Sequence, residues 1–186
     1  MTFYEKLMNN YNQELSHSGV DGERVANRLY ELSKIGAVEN NGVTRIGYSP
    51  EEKKAKELVA EWMKEAGLEV TMDGAGNVFG RLEGENAGPA ILSGSHLDSV
   101  PNGGNFDGPL GVLAALEVVE AWKQTSYTPS FPFEVVAFSD EEGSRFNAGL
   151  TGSESFMGKM KSEDLDNLID DEGNTLDDVI KIYDSS

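Results

Sequence analysis

The stretch from Gly88 to Val119, "GPAILSGSHLDSVPNGGNFDGPLGVLAALEVV", decides the fold. It opens on a short apolar run that favours a buried strand. A turn rich in glycine and asparagine follows, and the apolar residues after it predict a helix over 109–123. His96, Asp98 and Asp107 interrupt the apolar pattern between strand and helix. Because open α/β sheets carry their sites where strands end, these polar groups are candidate functional residues.

Further elements extend this pattern on both sides. The segments "LEVTMD", "GNVFGRLEG" and "FPFEVVAFS" predict strands. The last one is an apolar run apart from Glu134, which suggests a central strand buried on both faces. Strands that alternate with helices indicate a layered α/β domain with a substantially parallel sheet. The clearest helix has Ser49 as N-cap, Pro50 in its first position, Glu52 completing a capping box and Gly67 as its end. Helices are predicted over 2–15, 21–35, 50–66, 109–123, 152–160 and 175–183.

Composition excludes several classes of function. The 186 residues include no cysteine and no apolar run long enough to span a membrane, and no secretory signal opens the chain. We therefore expect a cytoplasmic protein without a membrane partner. The net charge of −18 argues against nucleic acid as a partner, because phosphate binding needs clustered lysine and arginine. Residues 161–186 hold nine acidic residues against two lysines, which predicts a solvated, partly helical surface.

A second polar cluster follows the strand "FPFEVVAFS". Asp140, Glu141 and Glu142 are adjacent there, and their mutual repulsion requires a cation or a proton. The carboxyl ends of parallel strands meet at one edge of a sheet, so this cluster and His96 are expected to converge. With Asp107, they offer one imidazole and two carboxylates (His96, Asp107 and Glu142), a ligand set that suits zinc or a similar divalent ion.

These residue types permit hydrolytic chemistry. A carboxylate such as Asp98 that accepts a bond from one nitrogen of His96 fixes the other nitrogen as a ligand or base. Of the adjacent glutamates, one can bind metal while the other takes the proton of the attacking water. The residues alone leave two readings open: a metallohydrolase, or a carboxylate-rich structural or cation-binding surface.

Two longer segments resemble a known family. "GSHLDSVPNGGNFDGPLGVLAALEVV" and "VVAFSDEEGSRF" are similar to the signature segments of the amidase/hydantoinase-carbamoylase branch of the aminoacylase and carboxypeptidase-like metallohydrolases. That branch includes N-carbamoyl-L-amino acid hydrolases, allantoate amidohydrolases and β-ureidopropionases. With the lesser matches "GVTRIGYSPEEKKAKELVAEWMKEAGLEV" and "GNVFGRLEG", the resemblance covers nearly all of residues 20–160. It implies a three-layer α/β/α sandwich of the zinc-exopeptidase type with a mixed, mostly parallel sheet, incomplete in this chain.

The resemblance also implies a role for each polar residue. His96 would ligate a first metal, Asp98 would orient His96, and Asp107 would bridge two metals. Glu141 would be the general base and Glu142 a metal ligand. The implied cofactors are two divalent ions, zinc or manganese, with cobalt and nickel as further options. The implied small-molecule substrates carry a ureido or amide C–N bond beside a carboxylate, as in N-carbamoyl amino acids or allantoate.

Three other residues receive weaker expectations. Arg145 is expected to pair with the acidic cluster as a structural support. Glu154 stands where many relatives carry a basic residue, which leaves its role open. His17 matches no ligand motif and is expected at the surface.

The resemblance implies further histidine ligands downstream of Glu142. The chain contains only two histidines, His17 and His96, so by that comparison it has ligands for a partial site alone. We therefore expect the N-terminal part of a catalytic domain: a helical leader and loop over 1–48, an α/β core segment over 49–160 and an acidic tail segment over 161–186. The family's lid and dimerisation domain is expected to be absent.

Assembly and activity follow from that division. The full-length form is expected to be a homodimer, whereas this chain is expected to be inactive alone and either to self-associate or to need a complementing segment. Two alternatives stay open, an aminoacylase or exopeptidase of the same superfamily and a non-catalytic interaction module.

Overall fold

A four-stranded sheet and the helices packed on it organise the part of the chain that the computed structural model describes, residues 1–39 and 42–185. Positions 40 and 41 of the predicted loop and position 186 of the predicted tail lie outside the described residues. The strands are β1 (Glu69–Met72), β2 (Val78–Leu82), β3 (Ile91–His96) and β4 (Phe133–Phe138). The helices are α1 (Phe3–Leu7), α2 (Gly22–Ser33), α3 (Pro50–Ala66), α4 (Pro109–Thr125), α5 (Thr151–Phe156), α6 (Ser162–Asn167) and α7 (Leu176–Ser185), with a 3-10 turn at Gln13–Leu15.

The sheet has the order β1-β2-β4-β3 and is mixed, as expected. The prediction that it is mostly parallel is wrong for the described strands: β3 pairs with β4 in parallel, whereas β1–β2 and β2–β4 are antiparallel. The physical reason lies in the connections. A tight turn in which the Asp73 carboxylate accepts from the N–H groups of Ala75 and Asn77 joins β1 to β2, and so short a link allows only antiparallel pairing. The crossover through α4 is long enough for parallel pairing.

Helix α3 has the ends that the sequence predicts. The Ser49 hydroxyl accepts from the N–H of Glu52 at 3.2 Å, and Gly67 ends the helix in the left-handed conformation at φ 95°. One detail of the predicted capping box differs. The Glu52 carboxylate accepts from the N–H of Tyr48 at 2.6 Å, one residue before the cap, and it also contacts the Lys56 ammonium at 2.8 Å.

The main core lies between one face of the sheet and helices α3 and α4. It is built from fully buried side chains of both helices and the inward residues of β4, namely Val59, Met63, Val112, Leu116, Val119, Phe133, Val135 and Ala137. On the opposite face, Phe156 of α5 packs on Phe79 and Phe138, with ring centroids 5.5 and 5.9 Å away. Within the described residues α5 therefore forms the second helical layer, which agrees with an incomplete sandwich.

The acidic tail forms a second, smaller core. Leu176, Val179 and Tyr183 of α7 are buried together with Tyr48 and Phe146. The helix predicted over 175–183 is thus confirmed, but the expectation of a merely solvated surface is wrong, because the apolar residues of α7 recur at helical spacing and bury one face. Helix α6 was not predicted.

The other predicted helices agree with the structure in part. Helix α2 begins after its predicted cap Asp21, and α4 matches its predicted range. The helix predicted over 2–15 is wrong, because the chain leaves α1 after Leu7 and Asn10 takes a left-handed conformation at φ 65°. Helix α5 ends at Phe156, just before Gly158 at φ 65°, so it is shorter than predicted. None of the helices in the described ranges is long and apolar enough to cross a membrane.

Candidate metal centre

The parallel pairing of β3 with β4 brings the two predicted polar clusters to one edge of the sheet. His96 is the last residue of β3 and pairs in register with Phe138, the last residue of β4. Asp107 follows the turn after β3 and precedes Gly108, whose φ is 83°. A Cβ at Gly108 would lie 2.6 Å from the carbonyl oxygen of His96 and 2.7 Å from its ring, so only glycine permits this close approach. The turn thereby holds Asp107 beside the imidazole.

The structure brings together the three residues that the sequence predicts as ligands. One ligand atom each from His96, Asp107 and Glu142 lie within 4.8 Å of one another. The His96 Nε2 atom is 3.9 Å from Asp107 Oδ1. His96 and Glu142 are half-buried, whereas the side chain of Asp107 is 81% exposed. One imidazole and two carboxylates at this spacing can hold a divalent cation on the open side of the cluster.

Asp98 lies behind His96 and connects the two strand ends. It is 1% exposed, and its Oδ1 atom is 3.2 Å from His96 Nδ1, which is also 3.1 Å from the Asp98 carbonyl oxygen. The same carboxylate accepts from the N–H groups of Glu141 at 3.2 Å and Glu142 at 3.0 Å. Acceptors on the Nδ1 side place a proton there and leave Nε2 as the atom that faces the cluster.

The electrostatics of the cluster follow from this arrangement. Burial lowers the pKa of His96, but the hydrogen bond and charge of Asp98 outweigh it and raise that pKa above its ordinary value. Burial acts to raise the pKa of Asp98, yet the bond from His96 and the N–H of Glu142 bring it below its ordinary value. Burial and then the neighbouring charge of Asp107 raise the pKa of Glu142, despite the opposing effect of His96. A cation between these carboxylates would relieve their repulsion.

Glu141 points away from the three ligand atoms. Its carboxylate accepts from both the N–H of Ser153 at 2.8 Å and the Ser153 hydroxyl at 2.7 Å, at the start of α5. The two adjacent glutamates therefore lie in different surroundings, Glu142 in the cluster and Glu141 outside it. The role of Glu141 as general base stays a prediction. Ser153 was missed because nothing in "TGSESF" shows that α5 returns to the strand end.

Asp140, the first of the three adjacent acids, lies in a buried environment. It is fully buried, its Oδ2 atom accepts from the Thr151 hydroxyl at 2.8 Å, and its Oδ1 atom has no hydrogen-bond partner among the described residues. Burial raises the pKa of Asp140 to about 7 although the bond from Thr151 opposes the shift. A Cβ at residue 47 would lie 2.1 Å from Oδ1, so Gly47 leaves the room that this carboxyl occupies. Burial therefore favours the protonated form of Asp140.

Arg145 does not pair with the acidic cluster, which corrects the prediction. Its Nε and Nη2 atoms each donate to Asp170 at 3.1 Å, and its Nη1 atom donates to the carbonyl groups of Gly47 and Tyr48 at 3.2 Å. The reason is that the tail folds back onto this side of the domain, which the sequence pattern did not predict. Arg145 is therefore a structural support, but it holds the tail through Asp170 and does not contact the acidic cluster.

The two remaining residues lie outside the cluster. His17 is exposed, as expected, with its Nδ1 atom 3.3 Å from the Ser18 hydroxyl. Glu154 is half-buried in α5, and its role stays open.

The fold and this cluster define an α/β protein with a candidate metal site at the carboxyl ends of its parallel strands. The model of peptidase family M28 matches residues 77–171, about half of the chain, and the chain belongs to this family.

The resemblance to the hydantoinase/carbamoylase branch is confirmed by individual relatives. The chain is 49% identical over 163 residues to an N-carbamoyl-L-amino acid amidohydrolase of Geobacillus stearothermophilus, covering 87% of this chain and 40% of that protein. It is 42% identical over 152 residues to the allantoate amidohydrolase of Escherichia coli, covering 81% and 37%. A crystal structure of a hydantoinase/carbamoylase family amidase from Burkholderia ambifaria superposes with a TM-score of 0.85 at 36% identity, covering 91% and 42%. The chain thus spans about 40% of the length of these relatives.

Proposed function

We propose that this chain forms the metal-binding part of a hydrolase that cleaves a ureido or amide C–N bond in an N-carbamoyl amino acid or an allantoate-like substrate. The observation that carries the proposal is the approach of one imidazole and two carboxylates to within 4.8 Å at the end of β3. The similarity to an N-carbamoyl-L-amino acid amidohydrolase and an allantoate amidohydrolase supports the substrate class.

The donor set fits a divalent cation such as zinc or manganese. His96 would bind it through Nε2, and Asp107 and Glu142 through carboxylate oxygens. The bound ion would supply Lewis-acid chemistry, polarising the scissile carbonyl and lowering the pKa of water. Asp98 holds the proton at His96 Nδ1 and keeps the imidazole aimed at the cluster. Its bonds to the N–H groups of Glu141 and Glu142 fix the backbone that carries both glutamates.

Glu141 is the proposed general base. It is adjacent in sequence to the ligand Glu142, so a carboxylate that leaves Ser153 by side-chain rotation can take a proton beside the cluster. The two hydrogen bonds from Ser153 define the resting position of that carboxylate. General bases act within hydrogen-bond reach of the proton they remove, and such bonds often tighten only in the substrate complex.

The number of ligands limits what the chain does alone. His96 is the only histidine near the cluster, and the other histidine of the sequence, His17, is bonded to a neighbouring serine. We propose that the isolated chain binds one divalent ion weakly, that it turns over no substrate, and that the two-metal chemistry implied by the resemblance needs residues from a complementing polypeptide.

Calorimetric titration with zinc and with manganese tests this proposal. We expect one weak site in the natural chain. In His96→Ala the affinity should fall roughly 100-fold, because losing a ligand should cost at least as much as losing the residue that orients it. His17→Ala removes an exposed imidazole outside the cluster and is the matched control, with unchanged affinity. Two tight sites, or equal binding by His96→Ala, would contradict the ligand set.

The match to a peptidase family favours one second candidate, an exopeptidase or aminoacylase. Metal-loaded chain should be assayed against N-carbamoyl amino acids, N-acetyl amino acids and dipeptides in parallel. We expect no turnover of any of them. Hydrolysis of dipeptides or N-acetyl amino acids alone would replace the proposed substrate class by the second candidate, and hydrolysis of N-carbamoyl amino acids would refute inactivity while supporting the class.

A further inference from the structure

On the basis of the proposed function, in which His96 binds the divalent ion, we propose that Arg45 is a positioning residue for that imidazole. Arg45 lies between α2 and α3 and is 1% exposed. Its Nε atom donates at 2.8 Å to the carbonyl of Leu97, which belongs to the peptide group that joins Leu97 to Asp98. Arg45 thus contacts the backbone between the proposed ligand and the residue that orients it.

The orientation of His96 depends on that peptide group. Two acceptors lie near His96 Nδ1, the Oδ1 atom of Asp98 at 3.2 Å and the carbonyl oxygen of Asp98 at 3.1 Å. Both belong to the residue that follows the Leu97 carbonyl, so a rotation of this peptide group would move both acceptors at once. The guanidinium of Arg45 resists such a rotation because it is also bonded to a second part of the fold.

That second part is the C-terminal end of α2. The Nη1 atom of Arg45 donates to the carbonyl groups of Leu32 and Ile35 at 3.0 and 3.1 Å. Carbonyl groups at this end of a helix lack intrahelical partners and favour a nearby cation. Helix α2 is itself held to α4 by the ion pair of Arg28 with Glu120 at 2.6 Å. A planar guanidinium, whose donors point in fixed directions, can therefore tie the Leu97 carbonyl to a helix end that is already anchored.

The backbone around Arg45 holds the same loop. The N–H of Arg45 donates to the Ser99 hydroxyl at 2.9 Å, and the N–H of Ser99 donates to the Arg45 carbonyl at 2.8 Å. Val43 and Gly103 exchange two backbone hydrogen bonds, at 3.0 and 2.8 Å. These bonds fix the position of Arg45 relative to the loop after β3, so the side chain acts from a rigid base.

The charge of Arg45 adds to this geometry. Burial lowers the pKa of Arg45 to about 10, against the opposing charges of Asp98 and then Glu52, so the guanidinium stays protonated at neutral pH. A neighbouring cation favours the ionised form of a carboxyl group such as Asp98. An ionised carboxylate also accepts a stronger hydrogen bond than a neutral group does. Position and charge therefore both favour a proton at His96 Nδ1, which leaves Nε2 for the ion.

Arg45→Met tests the proposal, because it keeps an unbranched stem and removes the donors and the charge. We expect the zinc affinity, measured by calorimetric titration, to fall roughly tenfold, as for other groups that support a metal ligand. Arg45→Lys keeps the charge on one donor group and should recover part of the affinity. Arg28→Met is the matched control, because it removes another buried arginine that anchors α2 but lies outside the site. It should destabilise the chain and leave the zinc affinity unchanged.

Nitrogen-15 NMR of the imidazole ring in the metal-free chain supplies a readout that needs no zinc. At a pH where the ring is neutral, the natural chain and Arg28→Met should both carry the His96 proton at Nδ1. Arg45→Met should show a mixture of the two tautomers, because the acceptors on Asp98 are no longer held. A role in stability alone would not move the tautomer in one arginine variant and spare it in the other.

A folded Arg45→Met chain with natural zinc affinity and a single His96 tautomer would overturn the proposal, as would an equal loss of affinity in Arg28→Met. Should Arg45→Met not fold, Arg45→Lys replaces it, and natural affinity with a single tautomer there would be the contradicting result. A natural chain that binds no zinc would refute the proposed function, and the ring signals would then decide the role of Arg45. A change of tautomer in the Arg45 variant would support positioning of His96, and no change would overturn it.

Discussion

The two acidic regions of the chain, the Asp170 loop of the tail and the cluster at the end of β3, satisfy their carboxylates in opposite ways. Asp170 accepts from the N–H groups of Glu172 and Asn174 at 3.0 and 2.9 Å, and from Arg145. Glu142 and the exposed Asp107 have no side-chain hydrogen bond within the described ranges, and each faces His96 and the other's charge. Carboxylates saturated by protein donors stabilise the fold, whereas unsaturated ones leave room for a cation.

A second loop supports this distinction. Asp73 and Asp170 each begin a segment of the form Asp-x-x-Gly-Asn, and in both the Oδ1 atom accepts from the N–H groups two and four residues later. In both, the asparagine side chain also donates to the aspartate. The glycine takes a positive φ in each, 76° at Gly76 and 88° at Gly173. Both aspartates in this pattern close turns. The pattern Asp-x-x-Gly-Asn therefore distinguishes, in the sequence, these turn-forming aspartates from candidate metal ligands.

The largest effect on stability is expected from Asp98→Ala, which removes the saturated carboxylate of the site. Two backbone N–H groups and the imidazole of His96 would lose their acceptor in a buried position. We expect the free energy of unfolding to fall by about 2–4 kcal/mol, measured by urea denaturation. Asp98→Asn keeps the shape and one acceptor oxygen and should cost less. Equal stability of the natural chain and Asp98→Ala would show that this carboxylate does not join the strand ends.

A smaller effect is expected from Asp170→Asn, which breaks the saturated pattern in the tail. Loss of charge-assisted bonds to Arg145 should lower the free energy of unfolding by about 1–2 kcal/mol at neutral pH. Burial acts to raise the pKa of Asp170, but the N–H and side chain of Asn174 and then Arg145 bring it below its ordinary value. The folded carboxyl holds its proton less tightly than the unfolded one, so its stabilisation is present above about pH 4 and disappears as the pH falls further.

Urea denaturation as a function of pH checks this sign. The difference between the natural chain and Asp170→Asn should shrink as the pH drops below about 4. Asp171→Asn, at the exposed neighbouring position, is the control and should match the natural chain throughout. A difference that grows in acid would refute the assignment of the stabilisation to an ionised Asp170.

Local signals in the sequence predicted much of the fold, and long-range contacts set the rest. Ser49, Pro50 and Gly67 determine the ends of α3 through interactions within a few residues. These helix ends could therefore be predicted directly from the sequence. Convergence of His96 with Glu142 was predictable because both follow apolar strands. The direction of the Glu141 side chain was not, since it depends on Ser153, which α5 brings to the strand end through the bond from the N–H of Gly152 to Ser139 at 2.8 Å.

The smallest effect on stability is expected at Asp107, whose carboxylate accepts no side-chain hydrogen bond within the described ranges. Its side chain is 81% exposed, so Asp107→Asn should change the free energy of unfolding by less than about 0.5 kcal/mol. The same change removes one of the proposed anionic ligands and should weaken zinc binding roughly 100-fold, more than it disturbs any other property. Glu163→Gln, which neutralises an exposed acid of α6, should alter neither quantity. An Asp107→Asn chain that is destabilised but binds zinc normally would contradict this prediction, because Asp107 would then stabilise the fold and would not bind the cation.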